Sequence, residues 1–236
     1  MAAENSICTY EANGEQIKLS PSIIKKYLVS GKAEKVTEQE VMMFLMLCKG
    51  QKLNPFVKEA YLIKYGDAPA TMVVGKDVFV KRAYRNERFS GMQAGITCIS
   101  RDGQRLIERE GTLLIEGEQL VGGWAKVFIK DYQAPVYASV SLKEYSTGNG
   151  NWKTKPATMI RKVALSQALR EAFPEDLQGL YDAAEMSAVN KNVDVVGIVE
   201  QEKTVDIPPE YQPQPVQDMP EPEEIPTAEF VEVDGQ

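Results

Sequence analysis

The chain changes character near residue 190, and that boundary limits where a packed structure can form. Seven of the 13 prolines lie beyond Val193, in runs such as IPPEYQPQPVQDMPEPEEIP. Proline fixes φ and removes a backbone donor, so a segment this rich in it completes neither a helix nor a strand ladder. From Asn190 to the end, 12 Asp+Glu stand against 2 Lys+Arg. Such a stretch buries too little apolar surface to offset chain entropy, and residues 190–236 are expected to be a disordered, acidic, Pro-rich C-terminal tail.

Without the tail the chain is a different object. The preceding 189 residues carry 25 Lys+Arg and 22 Asp+Glu, so the net charge of −7 comes from the tail and the body is mildly basic. With 43% hydrophobic residues the chain can bury a sizeable core. No run approaches the roughly 18 apolar residues of a membrane span, and the N-terminus lacks the basic-then-apolar pattern of a secretory signal. The three cysteines (Cys8, Cys48, Cys98) are far apart and form no C-x-x-C pair, as expected of reduced thiols in a cytosolic protein. Histidine is absent. That removes the commonest general base, the Ser-His and Cys-His nucleophile pairs and the commonest zinc ligand, and with them most enzyme classes.

Periodicity organises the body into alternating helices and strands. Pro21 to Ser30 reads as a short helix stopped at Gly31, within an N-terminal helical segment, 1–36, that serves as a packing or oligomer contact. Thr37 and Glu40 match a capping box. The following VMMFLMLCKG is apolar nearly all round, which predicts a buried helix ending at Gly50. Asn54-Pro55 marks a turn. EAYLIKY and ATMVV read as strands, and Lys76 to Arg88 as a helix. The runs MQAGITCIS, RLIEREGTLLI, GGWAKVFIK and VYASVSL are strand-like, the last two forming a hairpin across Asp131 to Pro135. Lys155-Pro156 leads into a long helix from Ala157 to Ala172, stopped by Pro174. The expected class is α+β, a single domain with an antiparallel sheet flanked by helices.

The cations suggest a use. Lys81, Arg85 and Arg88 recur at i, i+4 and i+7 and share one helix face. Lys162, Ser166 and Arg170 form a second stripe, with Arg161 beside it. Trp152-Lys153-Thr154-Lys155 sets an aromatic among cations at a helix entrance, and strand alternation puts Lys126 and Lys130 on the side of Trp124 and Phe128. Cations that neutralise phosphates, interleaved with aromatics that stack bases, are what sequence-tolerant single-strand binding requires. A solvated helix face for each stripe, and a core position for each tryptophan, remain the plainer alternatives. Enzyme motifs fail. The nearest approach to a P-loop, ATMVVGKD, has Ala70 for the first glycine and Asp77 for the Ser or Thr that holds magnesium. Glu108, Glu110, Glu116 and Glu118 fall in a strand-and-turn region that reads as an exposed edge, a poor start for a metal-dependent nuclease.

Four ordered blocks carry a resemblance. They are EQEVMMFLMLCKGQKLNPFVKEAYLIKYG, VVGKDVFVKRAYRNERFSGMQAG, GWAKVFIKDYQAPVYASVSLKEY and NWKTKPATMIRKVALSQALREAFPEDLQGLYDAAEM. Spanning Thr37 to Met186, they resemble the RecT/Bet family of phage and prophage recombinases, the single-strand annealing proteins. The resemblance implies that 37–189 is a domain that binds single-stranded DNA and anneals complementary strands without ATP and without bond-making chemistry. It implies no required cofactor and no catalytic or metal site, with magnesium at most a modulator. The expected partners are single strands and annealed duplex, further copies in a ring or helical filament, an exonuclease that generates single strands, and a host single-strand binding protein. The setting would be the bacterial cytoplasm. Lys153, Lys155, Arg161, Lys162 and Arg170 are the first choices for DNA contact, followed by Lys76, Lys81, Arg82 and Arg85, by Lys126 and Lys130, and by Trp152. The tail has no counterpart in the resemblance. It reads either as a solubilising segment or as an arm that competes with DNA, with Phe230, Val231 and Val233 in a terminal docking motif. A metal-dependent nuclease and a passive coat protein are the competing functions.

Overall fold

The computed structural model describes residues 7–189, with side chains through residue 186, so the expectations for the tail lie outside the described residues. The chain opens with β1 (Cys8–Ala12) and β2 (Glu15–Leu19), an antiparallel hairpin closed by Asn13 and Gly14 at φ of 55° and 85°. Positive φ at both positions of a two-residue loop is the type I′ pattern, which Asn-Gly supplies at least cost. Tyr10, Ala12, Ile17 and Leu19 alternate inward and are buried. The expectation of a helical segment over 1–36 is therefore corrected. Among the described residues of that stretch, helix is limited to α1 (Pro21–Ile23), a following π turn, Ile24–Leu28, and a single 3-10 turn, Ala33–Lys35.

β3 (Val29–Gly31) runs parallel to β4 (Ala60–Lys64), and β5 (Thr71–Val74) pairs antiparallel on the other side of β4. Between them lies α2 (Glu38–Gly50), whose capping box forms as expected. The Thr37 side chain accepts from the Glu40 N–H at 3.2 Å, and the Glu40 carboxylate accepts from the Thr37 N–H at 2.8 Å. Glu40 also receives the Lys64 ammonium and the Ala70 N–H, both at 2.7 Å. Burial alone would raise its pKa, but these donors outweigh it and hold the carboxyl at about 2. α2 is not buried all round. Val41, Phe44, Leu45 and Cys48 face the core, while Met42, Met43 and Met46 are 43%, 63% and 59% exposed. One stripe suffices to dock a helix, and the remaining apolar positions face outward.

After α3 (Lys76–Arg85) comes a four-stranded antiparallel sheet in the order β7-β6-β8-β9, made of β6 (Phe89–Ile99), β7 (Leu106–Glu110), β8 (Gln119–Ile129) and β9 (Val136–Ser141). β8 and β9 form the expected hairpin. Then follow α4 (Leu142–Tyr145), α5 (Gly150–Thr154), α6 (Pro156–Ala172), α7 (Pro174–Leu177) and α8 (Ala183–Val189). Strand alternation sends Ala94, Ile96, Cys98, Ala125, Val127, Ile129, Ala138 and Val140 to one face, where all are buried. α6 covers that face with Met159, Ile160, Val163 and Ala164. The helix lies so close that a Cβ on Gly123 would sit 2.7 Å from the Ile160 carbonyl oxygen. The fold is α+β.

Candidate nucleic-acid interface

α3 is the element around which the cations gather. Its N-cap, Gly75, must be glycine because the Lys58 carbonyl oxygen would lie 2.8 Å from any Cβ there. The Gly75 N–H donates to the Glu59 carbonyl at 3.0 Å. Upstream, Pro55–Val57 forms a single 3-10 turn that ends with Lys58 in the left-handed region at φ 62°. Lys58 is thereby set beside the start of α3. Val78, Phe79 and Ala83 anchor the helix in the core, leaving Lys76, Lys81 and Arg85 on its outer side.

Two grooves open along α3. The first, about 720 Å3, is lined by Lys58, Lys76, Lys81 and Lys162 together with Glu59 and Asp182. The second, about 670 Å3, is lined by Asn13, Lys52, Arg82, Arg85 and Arg88, with Glu87, Glu175 and Asp176 among them. A buried carboxylate joins the two. Glu59 is 6% exposed. It accepts from Lys81 at 2.9 Å, from the Asn54 N–H at 2.9 Å and from the Asn13 side-chain amide at 3.0 and 3.2 Å. Burial pushes its pKa up, and these donors more than reverse the effect, holding it below the usual carboxylate range. Asn13 completes the link by accepting from Arg85 at 2.8 Å. Lys81 and Arg85 thus stand at the two ends of a continuous polar ribbon, and Lys76 lines the same groove as Lys81. In the first groove, burial pushes the Asp182 carboxyl up to about 6, against the opposing pull of Lys162 and Lys76.

The other candidates fall outside the grooves, except Arg82, which stands in the wall of the second. Arg82 is half-buried and committed to Gln51 and to the Asp176 carbonyl. Arg170 pairs with Glu185 and donates to the Leu180 carbonyl at 2.9 Å. Both are therefore committed to contacts within the fold. Arg161 is half-buried and donates to the Ala94 carbonyl at 3.1 Å, tying α6 to β6. Trp152 is 2% exposed, so it is a core residue and not a stacking platform. α5 lies against α6, which turns the ring inward and leaves Lys153 and Lys155 outside, apart from both grooves. Trp124 is also buried, at 5%. Lys126 covers it, with the ammonium 5.0 Å from the Trp124 ring and 5.6 Å from that of Tyr137. Lys130 lies just past β8 in the turn, its N–H donating to the Arg88 carbonyl at 2.8 Å.

Sequence reasoning passed over Lys52, Lys58, Glu59 and Asn13. Asn13 had a direct local signal, the Asn-Gly pair between alternating strands, and Lys58 only the Asn54-Pro55 turn before it. Among the described residues no group of three or more His, Cys, Asp or Glu is arranged to hold a metal ion, and no helix is long and apolar enough to cross a membrane.

Comparison with known proteins gives one relative and one family. The chain is 32% identical over 147 residues to an uncharacterized protein, UU154, of Ureaplasma parvum serovar 3, across 61% of this chain and 60% of that protein. It thus spans about three fifths of the relative's length. Residues 16–198 match the RecT family, a stretch that takes in α3, the four-stranded sheet and both grooves except for Asn13. A match over most of the chain identifies the protein as a member of the RecT family.

Proposed function

We propose that this protein is an ATP-independent single-strand annealing protein of phage-type recombination, and that it holds single-stranded DNA along the two grooves of α3. The observation that carries the reading is the convergence of Lys58, Lys76, Lys81 and Lys162, from three separate parts of the chain, on one concave surface. Membership of the RecT family supports it. Ammonium groups at the groove take the phosphates, and Arg85 and Arg88 extend the track into the second groove. Lys153 in α5 and Lys155 at the start of α6, both exposed, belong to the approach of the strand.

The mechanism is templating. Phosphates held in the grooves leave base edges free, and neutralisation removes the repulsion between two incoming strands. Pairing itself yields about 1.4 kcal/mol per base-pair step, so no nucleotide hydrolysis is needed. No cofactor takes part, and magnesium acts only as a modulator. Further copies of the chain in a ring or helical filament would lengthen the template, an exonuclease and a host single-strand binding protein would supply and coat the strands, and the work would take place in the bacterial cytoplasm.

Salt titration tests the groove. Each phosphate contact on a single strand contributes a slope of about 0.7 in log K against log salt. The double variant Lys76→Ala, Lys162→Ala should flatten the slope by about 1.4 on that basis. An unchanged slope in the folded variant removes this groove from the DNA path.

A further inference from the structure

A small pocket opens beside the second groove, under the turn between β8 and β9. It encloses about 240 Å3, and its walls are Ile129, Val136, Phe173 and Pro174, with Tyr132 at the turn. Tyr132 is 59% exposed, and the Arg88 guanidinium lies over its ring at 5.4 Å. The turn is fixed in place. Asp131 takes φ 67°, the Lys130 N–H holds the Arg88 carbonyl, and the Tyr132 N–H donates to the Ile129 carbonyl at 3.3 Å. The far wall is braced by aromatic contacts, with Phe89 at 6.2 Å from Phe173 and 4.8 Å from Tyr84, ring centre to ring centre.

The polar edge of the pocket is also rigid. The Asn86 amide donates to Asp176 at 2.8 Å, and its oxygen accepts from the Arg88 N–H at 2.9 Å. Glu171 and Glu175 stand nearby. Asn86, Arg88, Glu175 and Asp176 line both this pocket and the second groove, so the two are contiguous.

The chemistry of this pocket differs from that of the track. Here three carboxylates (Glu171, Glu175 and Asp176) face a single guanidinium, Arg88, whereas the second groove sets four cations against three carboxylates, so the balance of charge opposes entry of a phosphate into the pocket but not into the groove. An apolar slot with a phenol ring under a guanidinium accepts a flat, neutral ring, and the carboxylates accept from its exocyclic amino groups. The volume is below the range of about 300–1,000 Å3 typical of sites for drug-sized ligands, which limits the occupant to something small.

We propose that this pocket takes one unpaired nucleobase of the strand whose phosphates run past Arg85 and Lys52. The inference rests on the single-strand reading given above and adds a base-recognising subsite to it. A base already paired in a duplex cannot reach the slot, so the pocket favours single strands over the annealed product and gives up its base when the complement arrives.

The test compares the full-length protein with Tyr132→Ala and Tyr132→Phe at fixed salt. Each binds a single strand of mixed sequence and a strand of equal length made of abasic deoxyribose phosphates. The ratio of the two affinities should fall at least about fivefold in Tyr132→Ala relative to wild type, the loss of one stacked base, and should be retained in Tyr132→Phe. The salt slope should be the same in all three, because the phosphates are unchanged. An equal ratio in wild type and Tyr132→Ala overturns the base pocket while leaving the grooves standing. Failure of every protein to bind either strand overturns the pocket together with the single-strand reading.

Discussion

The Arg85 guanidinium donates to the side-chain oxygen of Asn13 at 2.8 Å across 72 positions of sequence. The same Asn13 side chain donates its amide to Glu59, which also receives Lys81. The tip of the N-terminal hairpin therefore clamps the middle of the cation track. A long, flexible cation loses rotamer freedom when it binds a phosphate, and one already tethered loses less.

This clamp makes a stability prediction. Asn13→Gly keeps the positive φ that the turn needs but removes the bonds to Arg85 and Glu59. Hydrogen bonds to charged groups contribute about 1.5–3 kcal/mol each when buried, but Arg85 and Asn13 are exposed and only the Glu59 end of the link is buried, so a loss of about 1 kcal/mol is expected in urea denaturation. Asn13→Ala should lose more, because alanine is strained at φ 55°. Equal stability of Asn13→Gly and wild type would show that the hairpin tip holds nothing.

Asp182 links DNA affinity to pH. Its carboxyl, raised to about 6, is ionised at neutral pH and puts a negative charge at the wall of the lysine groove, among Lys76, Lys162 and Glu185. As pH falls through about 6 the charge disappears, so affinity for a single strand should rise between pH 7 and 5. The sign for stability is the same. A raised carboxylate binds its proton more tightly in the folded state, so stability increases as pH falls from about 6 toward the ordinary value of 3.8. Asp182→Asn should bind more tightly at pH 7 and lose most of the pH dependence. The chain has no histidine to mask the effect. A titration as steep in the variant as in wild type would contradict the assignment.

Trp152 separates packing from stacking. Trp152→Phe should lower stability by about 1–2 kcal/mol through lost volume and contacts, and Trp152→Ala by about 3–5 kcal/mol. The folded Trp152→Phe protein should keep its DNA affinity within about twofold, far below the loss of a stacked base. A drop of tenfold or more without unfolding would return the ring to the DNA.

How much of this was legible depends on the range of the interaction. The capping box of Thr37 and Glu40, the β8–β9 hairpin and the long helix before Pro174 are local patterns, and each was readable. The Asn13-Gly14 turn is equally local, an Asn-Gly pair between two alternating runs, and it sits beside the helix-like pattern of residues 21–30. The choice among cations was not readable. Arg82 and Arg85 lie three residues apart on one helix, yet Arg82 is committed to Gln51 and Asp176 while Arg85 reaches Asn13. Periodicity puts both near the surface, and only tertiary contact decides which stays available. Lys58 is similar, since the Asn54-Pro55 turn marks its position but not its proximity to Lys162. Trp152 misled because its neighbours in sequence are cations while its neighbours in space belong to the core.

The most direct test of the account is the pairing rate of two complementary labelled oligonucleotides with the protein present and neither ATP nor metal added. The account predicts acceleration well above the spontaneous rate, reduced in the Lys76→Ala, Lys162→Ala variant. Intact single-strand binding with no acceleration would contradict it and leave the protein a passive coat.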